Sequence, residues 1–420
     1  MTKRTEEYRR KLRAQFEDVD VPALSLNISE AMEKGLQVDN EEMPMLPSFF
    51  PLREIRQKEG HVMVIDAGGT NFRAAVVSFR EGKGKSEFVK KAKMPGVDYA
   101  VSWDEFICFT ADQIEPFLDV VGNIGFCFSY TALQLPDGDA QVVSIDKEVM
   151  ISGAEGKLVG RSLADELVRR GVKVPRITVL NDTVAVLLGA CAGIDTDVYG
   201  GFVAQVSGTG TNTCMQVRGD QIKKLPADLR RDMIVNCESG AFRHAPANSI
   251  DTLIDERSSN KGQYLLEKIT AGAYLGEICT EAIREAFAEK LISRKAMEYA
   301  EHNPLQSAAE ADRWTQVSGT EEIPGTEEDR TVIREICRSV FIRSAKYMAA
   351  VLTANMLTLN YKGEKPICIV AEGSLAEKSE IYRTTLSEEL KKCAGDRFGL
   401  KYTYRICNNS TLTGTAVAAL

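Results

Sequence analysis

The sequence is poor in histidine and carries no excess of positive charge. Its 420 residues include only three histidines, and 52 Lys and Arg stand against 60 Asp and Glu, which gives a net charge of -8. So few histidines leave little scope for histidine-based acid–base or metal chemistry. The acidic balance argues against a nucleic-acid-binding or membrane-surface protein, because such proteins usually carry a basic patch. An anionic ligand would need local positive charge or a metal ion.

Long apolar runs and paired cysteines are also missing. No apolar stretch is long enough to span a membrane, and the N-terminal segment MTKRTEEYRR is charged, unlike a secretory signal. The ten cysteines are scattered without a C-x-x-C pair, which predicts buried thiols rather than zinc ligands. We therefore expect a cytoplasmic protein in a reducing compartment.

The sequence does have the composition of a globular protein, with 44% hydrophobic and 27% charged residues in a chain long enough for two domains. The spacing of apolar residues predicts helices at 5–20, 25–37, 262–300 and 330–356. The prolines of PMLPSFFPLRE predict an extended connector after the second helix. Residues 301–330, rich in Glu, Ser, Gly and Pro, predict a loop with short helical pieces.

Two similar segments predict β-hairpins with glycine-rich turns. HVMVIDAGGTNFRAAVVSF at 61–79 and YGGFVAQVSGTGTNTCMQV at 199–217 each have the pattern strand, glycine turn, strand.

NIGFCFSY and PICIVAEGSL predict further buried strands. The strand RITVL ends at Asn181-Asp182-Thr183, and the apolar run AVLLGACA after it predicts a buried helix. Asp182 is therefore expected where a strand ends and a helix opens.

The glycine turns are candidate phosphate-binding sites. Glycines allow backbone N–H groups to approach phosphate closely, and Thr and Asn side chains add donors without bulk. Asp66 beside the first turn suits a Mg²⁺-bound nucleotide, and Arg73 can neutralise phosphate charge. Ordinary glycine-rich hairpins are the alternative for each turn alone. A dinucleotide site is disfavoured, because G-T-G-T-N runs into a strand and not into a helix.

An ordered set of motifs spans residues 32–375. In chain order these motifs are MEKGL, MLPSFF, IDAGGTNFRAAVV, GFCFSY, VLNDTVAVLLGA, SGTGTN, VNCESGAF, LEKITAGAYLGE and EGSL. The set resembles the eukaryotic-type hexokinases of the actin-like sugar-kinase superfamily. The resemblance implies an α/β chain with a two-domain actin-like ATPase (ribonuclease H-like) fold and an interdomain cleft. The small domain would comprise 59–182 plus 409–420, and the large domain 1–58 plus 183–408.

The same resemblance implies an ATP-dependent hexokinase that phosphorylates the 6-hydroxyl of glucose, mannose or fructose, the first step of glycolysis. ATP and a small-molecule hexose would bind, with Mg²⁺ carried by ATP and Asp66 in contact through water. No nucleic acid or membrane partner is expected, and the oligomeric state is left open.

Site residues follow from the matching motifs. Asp182 would be the catalytic base, assisted by Lys147. The expected sugar ligands are Ser129, Asn181, Asn212, Glu238 and Glu267. The expected ATP site is formed by Asp66, Gly68, Gly69, Thr70, Asn71, Arg73, Gly208, Thr209, Gly210, Gly373 and Ser374. A carboxylate suits the role of base, because a sugar hydroxyl is a poor nucleophile until its proton is accepted.

Other interpretations remain open for the residues and for the chain. Taken alone, Asp182 would be a helix N-cap, and Glu238 and Glu267 would be surface charges. A sugar-binding regulator of the same fold with little or no turnover is the main alternative function. A bacterial repressor-related kinase shares the D-x-G-G-T turn, but its Cys/His zinc motif is not found in this sequence.

Departures from the family pattern cluster around the expected sugar loops. Thr131 replaces the proline of F-S-F-P, and Ser239 replaces the tryptophan of E-W-G. In the segment usually written W-T-K-G-F, Asp146 replaces the threonine while Lys147 is kept. Near the C-terminus Thr413 replaces a lysine, so one basic contact near the nucleotide is missing.

These departures predict weak affinity for glucose, or a preference for another hexose such as mannose. An ionised Asp146 only accepts hydrogen bonds, so a sugar oxygen that relied on the threonine hydroxyl as a donor loses it. Asp146→Thr should therefore raise kcat/KM for glucose, measured by coupled ADP release. Tight, glucose-selective kinetics that the substitution leaves unchanged would show that position 146 lies outside the sugar contacts.

Overall fold

A computed structural model describes residues 3–52, 59–69, 71–81, 83–145 and 149–420. Three residues singled out in the sequence, Thr70, Asp146 and Lys147, lie outside these ranges. The strands are β1 (Leu46–Pro47), β2 (Gly60–Gly68), β3 (Asn71–Arg80), β4 (Lys83–Lys93), β5 (Val101–Ser102), β6 (Asn123–Phe128), β7 (Ala132–Gln134), β8 (Ala140–Val142), β9 (Ile151–Ser152), β10 (Arg176–Leu180), β11 (Gly201–Ser207), β12 (Thr211–Val217), β13 (Met233–Asn236), β14 (Ile367–Glu372) and β15 (Tyr402–Ile406).

The helices surround these strands. They are α1 (Lys3–Leu12), α2 (Val21–Gln37), α3 (Trp103–Ile114), α4 (Val159–Arg169), α5 (Asp182–Ala192), α6 (Ser249–Arg257), α7 (Leu265–Thr270), α8 (Gly272–Ala288), α9 (Arg294–His302), α10 (Ala308–Arg313), α11 (Val317–Thr320), α12 (Glu327–Leu359), α13 (Ser374–Lys378), α14 (Glu380–Leu390) and α15 (Ser410–Ala419). A π-helical turn, Arg13–Glu17, follows α1, and a second, Lys391–Arg397, follows α14.

Two sheets with the same internal order form the two halves of the molecule. The five-stranded sheet has the order β10-β6-β2-β3-β4, and the six-stranded sheet has the order β1-β13-β12-β11-β14-β15. Each contains an antiparallel three-stranded meander, followed by two strands that run parallel to the first strand of the meander. We call the half built on the five-stranded sheet the first lobe and the other half the second lobe.

The similarity between the two glycine-turn segments is thus a repeat of topology. The predicted hairpin at 61–79 is β2 and β3, and the one at 199–217 is β11 and β12. Each forms the first two strands of its meander, and each places its turn at the carboxyl end of the first of these strands. The carboxyl ends of parallel strands are where ligands usually bind in α/β sheets.

Helices α5 and α15 cross between the two sheets. Two glycines permit the crossing. A β-carbon on Gly189 would overlap the carbonyl oxygen of Ser410, and a β-carbon on Gly414 would overlap the carbonyl oxygen of Ala185. Apolar residues of α5 pack with the second-lobe strands, whereas Leu412 and Ala416 of α15 pack with β2 and β3. The backbones of the two helices are therefore in direct contact where the lobes meet.

The N-terminus of α15 is held by the second lobe. Asn409 precedes the helix in a left-handed conformation and its side chain makes no cap. The carboxylate of Glu372, the last residue of β14, accepts instead from the backbone N–H of Ser410 at 2.9 Å and from the Thr411 hydroxyl at 3.2 Å. Burial raises the pKa of Glu372, and these donors act against that rise.

Helix α12 organises the second lobe from inside. It is 33 residues long and largely buried. Its Arg343 donates two hydrogen bonds of 2.8 Å to the carboxylate of Asp251, and the guanidinium lies over the ring of Phe16 at 4.8 Å. This buried pair attaches the N-terminal segment and α6 to α12.

Most predicted elements agree with the structure, but the single helix predicted for 262–300 is wrong. Three helices, α7, α8 and α9, occupy this region. Ala271 has an extended conformation with ψ 147°, so the chain turns between α7 and α8. The domain boundaries drawn from the sequence stay a prediction, although α15 does pack on the first-lobe sheet.

The cysteines lie where the sequence predicted. Eight of the ten are buried, and Cys108 and Cys407 are partly exposed; all ten are free thiols. None of the helices in the described ranges has both the length and the apolar character required to span a bilayer.

The helix crossing can be tested with Gly414→Ala. The added methyl group has no room, so the helices must separate, and overpacking of this kind costs about 1–3 kcal/mol. We expect a clearly lower midpoint in thermal unfolding. Gly193→Ala at the end of α5 is the matched control, because a β-carbon there meets no atom within 4 Å. Equal midpoints for the two variants would contradict the account of the crossing.

Candidate active site

A cleft of about 530 Å³ lies between the lobes. Its walls are mainly polar, and both sheets contribute to them. It is lined by Asp66, Gly68, Gly69, Asn71, Arg73, Lys91, Ser129, Tyr130, Thr131, Asn181, Asp182, Val206, Thr209, Gly210, Thr211, Asn212, Glu238, Asn260, Tyr264, Glu267, Tyr274 and Thr411.

The first glycine turn connects β2 to β3 at one wall of the cleft. Gly69 has a positive φ of 56° that favours glycine. A β-carbon on Gly68 would lie 2.5 Å from the hydroxyl oxygen of Ser129, so glycine is required for β2 to lie this close to the end of β6. The turn and Ser129 thus form one compact wall.

Asp66 and Arg73 form an ion pair on this wall. Arg73 Nε donates to Asp66 Oδ2 at 2.7 Å, and its Nη2 contacts the same oxygen. Burial raises the pKa of the Asp66 carboxyl, whereas the Arg73 guanidinium lowers it. The interaction with Asp66 raises the pKa of Arg73 despite its partial burial, so the arginine keeps its charge in the cleft.

The second glycine turn connects β11 to β12 at the opposite wall. Gly208 N donates to Gly210 O at 3.0 Å, and the first backbone groups of α8 donate to this turn, from Gly272 to Gly208 O at 2.9 Å and from Ala273 to Thr209 O at 3.1 Å. Gly373, at φ 117°, packs so closely that a β-carbon would overlap Ser207 O. Gly208 of the turn and its neighbours Gly373 and Ser374 therefore lie outside the cleft lining, where Gly373 packs behind the turn.

Asp182 is the first residue of α5 but does not cap it. Asn181 is the N-cap, and its Oδ1 accepts from the backbone N–H of Thr183 at 2.9 Å. The carboxylate of Asp182 accepts from the Thr183 hydroxyl at 3.1 Å and lies in the cleft wall. The N-cap interpretation of Asp182 is therefore wrong, because its neighbour performs that role.

Glu238 is held in the cleft by a chain of amides. It adopts a left-handed conformation with φ 52° and ψ 45°, unusual for a residue with a side chain. Asn236 Nδ2 donates to Glu238 Oε1 at 2.7 Å, and Asn212 Nδ2 donates to Asn236 Oδ1 at 2.8 Å. Asn212 Oδ1 accepts from Ser239 N at 3.3 Å. Strained backbone backed by such a network is typical of functional sites.

Glu267, on α7, completes the same region. A β-carbon on Gly240 would lie 2.9 Å from Glu267 Oε2, and one on Gly210 would lie 3.5 Å from Oε1. Two glycines therefore leave room for this carboxylate at the base of the cleft. Neither Glu238 nor Glu267 is a surface charge.

The structure brings together most of the residues that the sequence predicted for the site. The predicted residues in the cleft lining are Ser129, Asn181, Asp182, Asn212, Glu238, Glu267, Asp66, Gly68, Gly69, Asn71, Arg73, Thr209 and Gly210. Thr70 and Lys147 lie outside the described residues. The individual roles assigned to these side chains stay predictions.

Several cleft residues were missed by reasoning from the sequence. Lys91 of β4 lies opposite Arg73 in the β3–β4 register. Tyr264 was also missed; its hydroxyl oxygen lies 3.0 Å from that of Thr131, which the sequence marked only as a departure from the family pattern. Asn236, which holds Glu238 from outside the cleft lining, could have been found by its place two residues before that carboxylate in VNCESGAF. Lys91 and Tyr264 gave no such signal.

The three histidines lie away from the cleft. His61, His244 and His302 are exposed and do not line it. Within the part of the chain that the structure describes, no group of three or more His, Cys, Asp or Glu side chains could hold a metal ion.

Sequence models of known families match nearly the whole chain. One model described as Hexokinase matches residues 6–192, and a second model with the same description matches residues 202–420. The chain belongs to the hexokinase family. Among its relatives in the family, Hexokinase-1 of Schizosaccharomyces pombe is 30% identical over 88% of this chain and 80% of its own. Glucokinase-1 of Saccharomyces cerevisiae is 27% identical over 93% of this chain and 92% of its own.

Solved structures show the same fold. The hexokinase from Schistosoma mansoni complexed with glucose has a TM-score of 0.82 at 20% identity, with 99% of each chain covered. A ROK family glucokinase from Streptomyces griseus, in complex with glucose and AMPPNP, has a TM-score of 0.54 at 16% identity and covers 86% of this chain and 99% of its own. The two-domain actin-like fold expected for a hexokinase-family chain is confirmed.

Proposed function

We propose that the chain is an ATP-dependent hexokinase that transfers the γ-phosphate of ATP to the 6-hydroxyl of a hexose. The observation that carries this proposal is the arrangement of the cleft. Asp182 lines the same cleft as two glycine turns suited to phosphate and a group of carboxylates and amides suited to sugar hydroxyls. Membership of the hexokinase family supports the same reaction.

The sugar would bind at the end of the cleft that contains Glu238 and Glu267. Carboxylates and amides can grip several hydroxyls at once and fix the orientation of the ring. Because Asn236 and Asn212 hold Glu238 in place, little ordering is left to be done on binding. Asp182 would accept the proton of the hydroxyl as its oxygen attacks the γ-phosphorus.

The nucleotide phosphates would lie along the two glycine turns. Backbone N–H groups there supply donors, while Arg73 and Lys91 supply positive charge at the first turn. Mg²⁺, bound with ATP, would neutralise phosphate charge. The donor set fits this ion, because Arg73 occupies Oδ2 of Asp66 and the second carboxylate oxygen can contact a magnesium-bound water.

The alternative, a sugar-binding regulator without turnover, is not favoured. A regulator needs the sugar site but has no need of a carboxylate beside a phosphate-binding turn, and both are present in one cleft. Which hexose is preferred, and the cytoplasmic location, stay predictions.

Asp182→Ala should abolish turnover while sugar binding is largely kept. The side chain that accepts the proton is removed, and general-base catalysis contributes about 10²–10⁴-fold. kcat should be measured by coupled ADP release, with hexose binding measured by calorimetry. Asp228→Asn, an exposed carboxylate outside the cleft lining, is the control. Near wild-type kcat in a folded Asp182→Ala protein would overturn the assignment of the base.

Lys91→Met should raise the KM for ATP about 5-fold, because a charged contact with phosphate is worth roughly 1 kcal/mol at an exposed site. The KM for hexose should stay unchanged. Lys90→Met is the matched control: the adjacent residue of β4 pairs with Ala74, points to the other sheet face and does not line the cleft. Equal effects of the two substitutions would show that Lys91 acts only through overall charge.

A further inference from the structure

A hydrogen bond between two hydroxyl groups crosses the cleft from lobe to lobe. Thr131 Oγ1 and Tyr264 Oη are 3.0 Å apart, and either can donate. Thr131 lies between β6 and β7 on the first lobe, and Tyr264 immediately precedes α7 on the second. Both residues line the cleft.

The backbone on the Thr131 side of this bond is fixed. The carbonyl oxygen of Thr131 accepts from Val143 N at 2.9 Å and from Ser144 N at 3.2 Å. The preceding residue, Tyr130, is buried and packs against Phe128 with ring centroids 5.1 Å apart. The threonine hydroxyl therefore projects from a rigid support.

The loop that carries Tyr264 is fixed as well. Lys268 is 2% exposed, and its ammonium donates to Asp255 Oδ1 at 2.6 Å and to Asn260 O at 3.0 Å. Gly262 N donates to the Asp255 carboxylate at 3.0 Å. Tyr264 itself has φ 51° and ψ 41°, a conformation that a tyrosine adopts only where its surroundings impose it.

Each hydroxyl lies close in the chain to an expected sugar ligand of its own lobe. Ser129 is two residues before Thr131, and Glu267 is three residues after Tyr264, in the first turn of α7. A bond between positions 131 and 264 therefore fixes the distance between ligands that belong to different lobes.

We propose that Thr131 and Tyr264 form an interlobe latch that positions the sugar-binding side chains and thereby sets the affinity for hexose. The proposal rests on the hexokinase function proposed above. The latch stabilises the arrangement in which both sets of ligands face the sugar, so its loss lowers the fraction of binding-competent protein and raises the apparent dissociation constant. Both are positioning residues, and neither is assigned a role in phosphoryl transfer.

Tyr264→Phe and Thr131→Val remove the two hydroxyls with little change of shape. Each should raise the KM for hexose about 5-fold, in line with the loss of one hydrogen bond, while kcat and the KM for ATP change less than about 2-fold. Thr131→Ser keeps a hydroxyl and should behave like the wild type. A loss confined to kcat, or an equal rise in both KM values, would contradict the latch.

The double variant tests whether the two hydroxyl groups act through one shared hydrogen bond or independently of each other. Once one hydroxyl is gone, the other has no partner in the latch, so Tyr264→Phe/Thr131→Val should match either single variant. If the effects on KM multiply instead, the hydroxyls act independently and the latch is refuted. Small-angle scattering without ligands should also show a larger radius of gyration for the single variants than for the wild type, because the bond no longer holds the lobes together.

Different experimental results would refute the proposed function and the proposed latch. A wild-type protein that phosphorylates no hexose in a panel would overturn the function. A wild-type protein that turns over normally, with variants of unchanged KM for hexose and unchanged scattering profiles, would overturn the latch alone.

Discussion

The close crossing of α5 and α15 is the contact on which the rest of the architecture depends. Gly189 and Gly414 bring the two backbones together, and each helix packs against the sheet of a different lobe. Asp182 begins α5, and Thr411 near the start of α15 also lines the cleft, so the crossing helps to determine where both side chains lie. The position of the proposed base thus follows from the packing of two small residues.

Glycine has a second use inside the cleft, where it makes room for other side chains. The absence of a side chain at Gly68 leaves room for Ser129, and its absence at Gly240 leaves room for Glu267. The amides Asn212 and Asn236 then hold Glu238 in a backbone conformation that it would rarely adopt alone. The polar groups of the site are consequently ordered by the fold rather than by a ligand, which reduces the entropy lost on binding.

The hairpins, the strand before Asp182 and the long helix α12 could be predicted from the sequence, because their apolar periodicity is local. Most residues expected at the site do line the cleft, because they lie in ordered motifs; their individual roles stay predictions. Lys91 could not, since it reaches the cleft through the pairing of β4 with β3. The contact of Thr131 with Tyr264 joins residues 133 positions apart. The single helix predicted at 262–300 is wrong at Ala271, an extended residue between Thr270 and Gly272, which are poor helix formers.

Helix α15 has a consequence for biosynthesis. It covers Val62, Val64, Ala75 and Val77 of β2 and β3, yet it is translated after the whole second lobe. On the ribosome the first-lobe sheet therefore emerges with one apolar face open to water, and it stays so until the residues from Ser410 onward leave the exit tunnel. The first lobe therefore cannot complete its native packing before α15 is free to dock, and transiently exposed apolar surface of this kind is prone to misassembly.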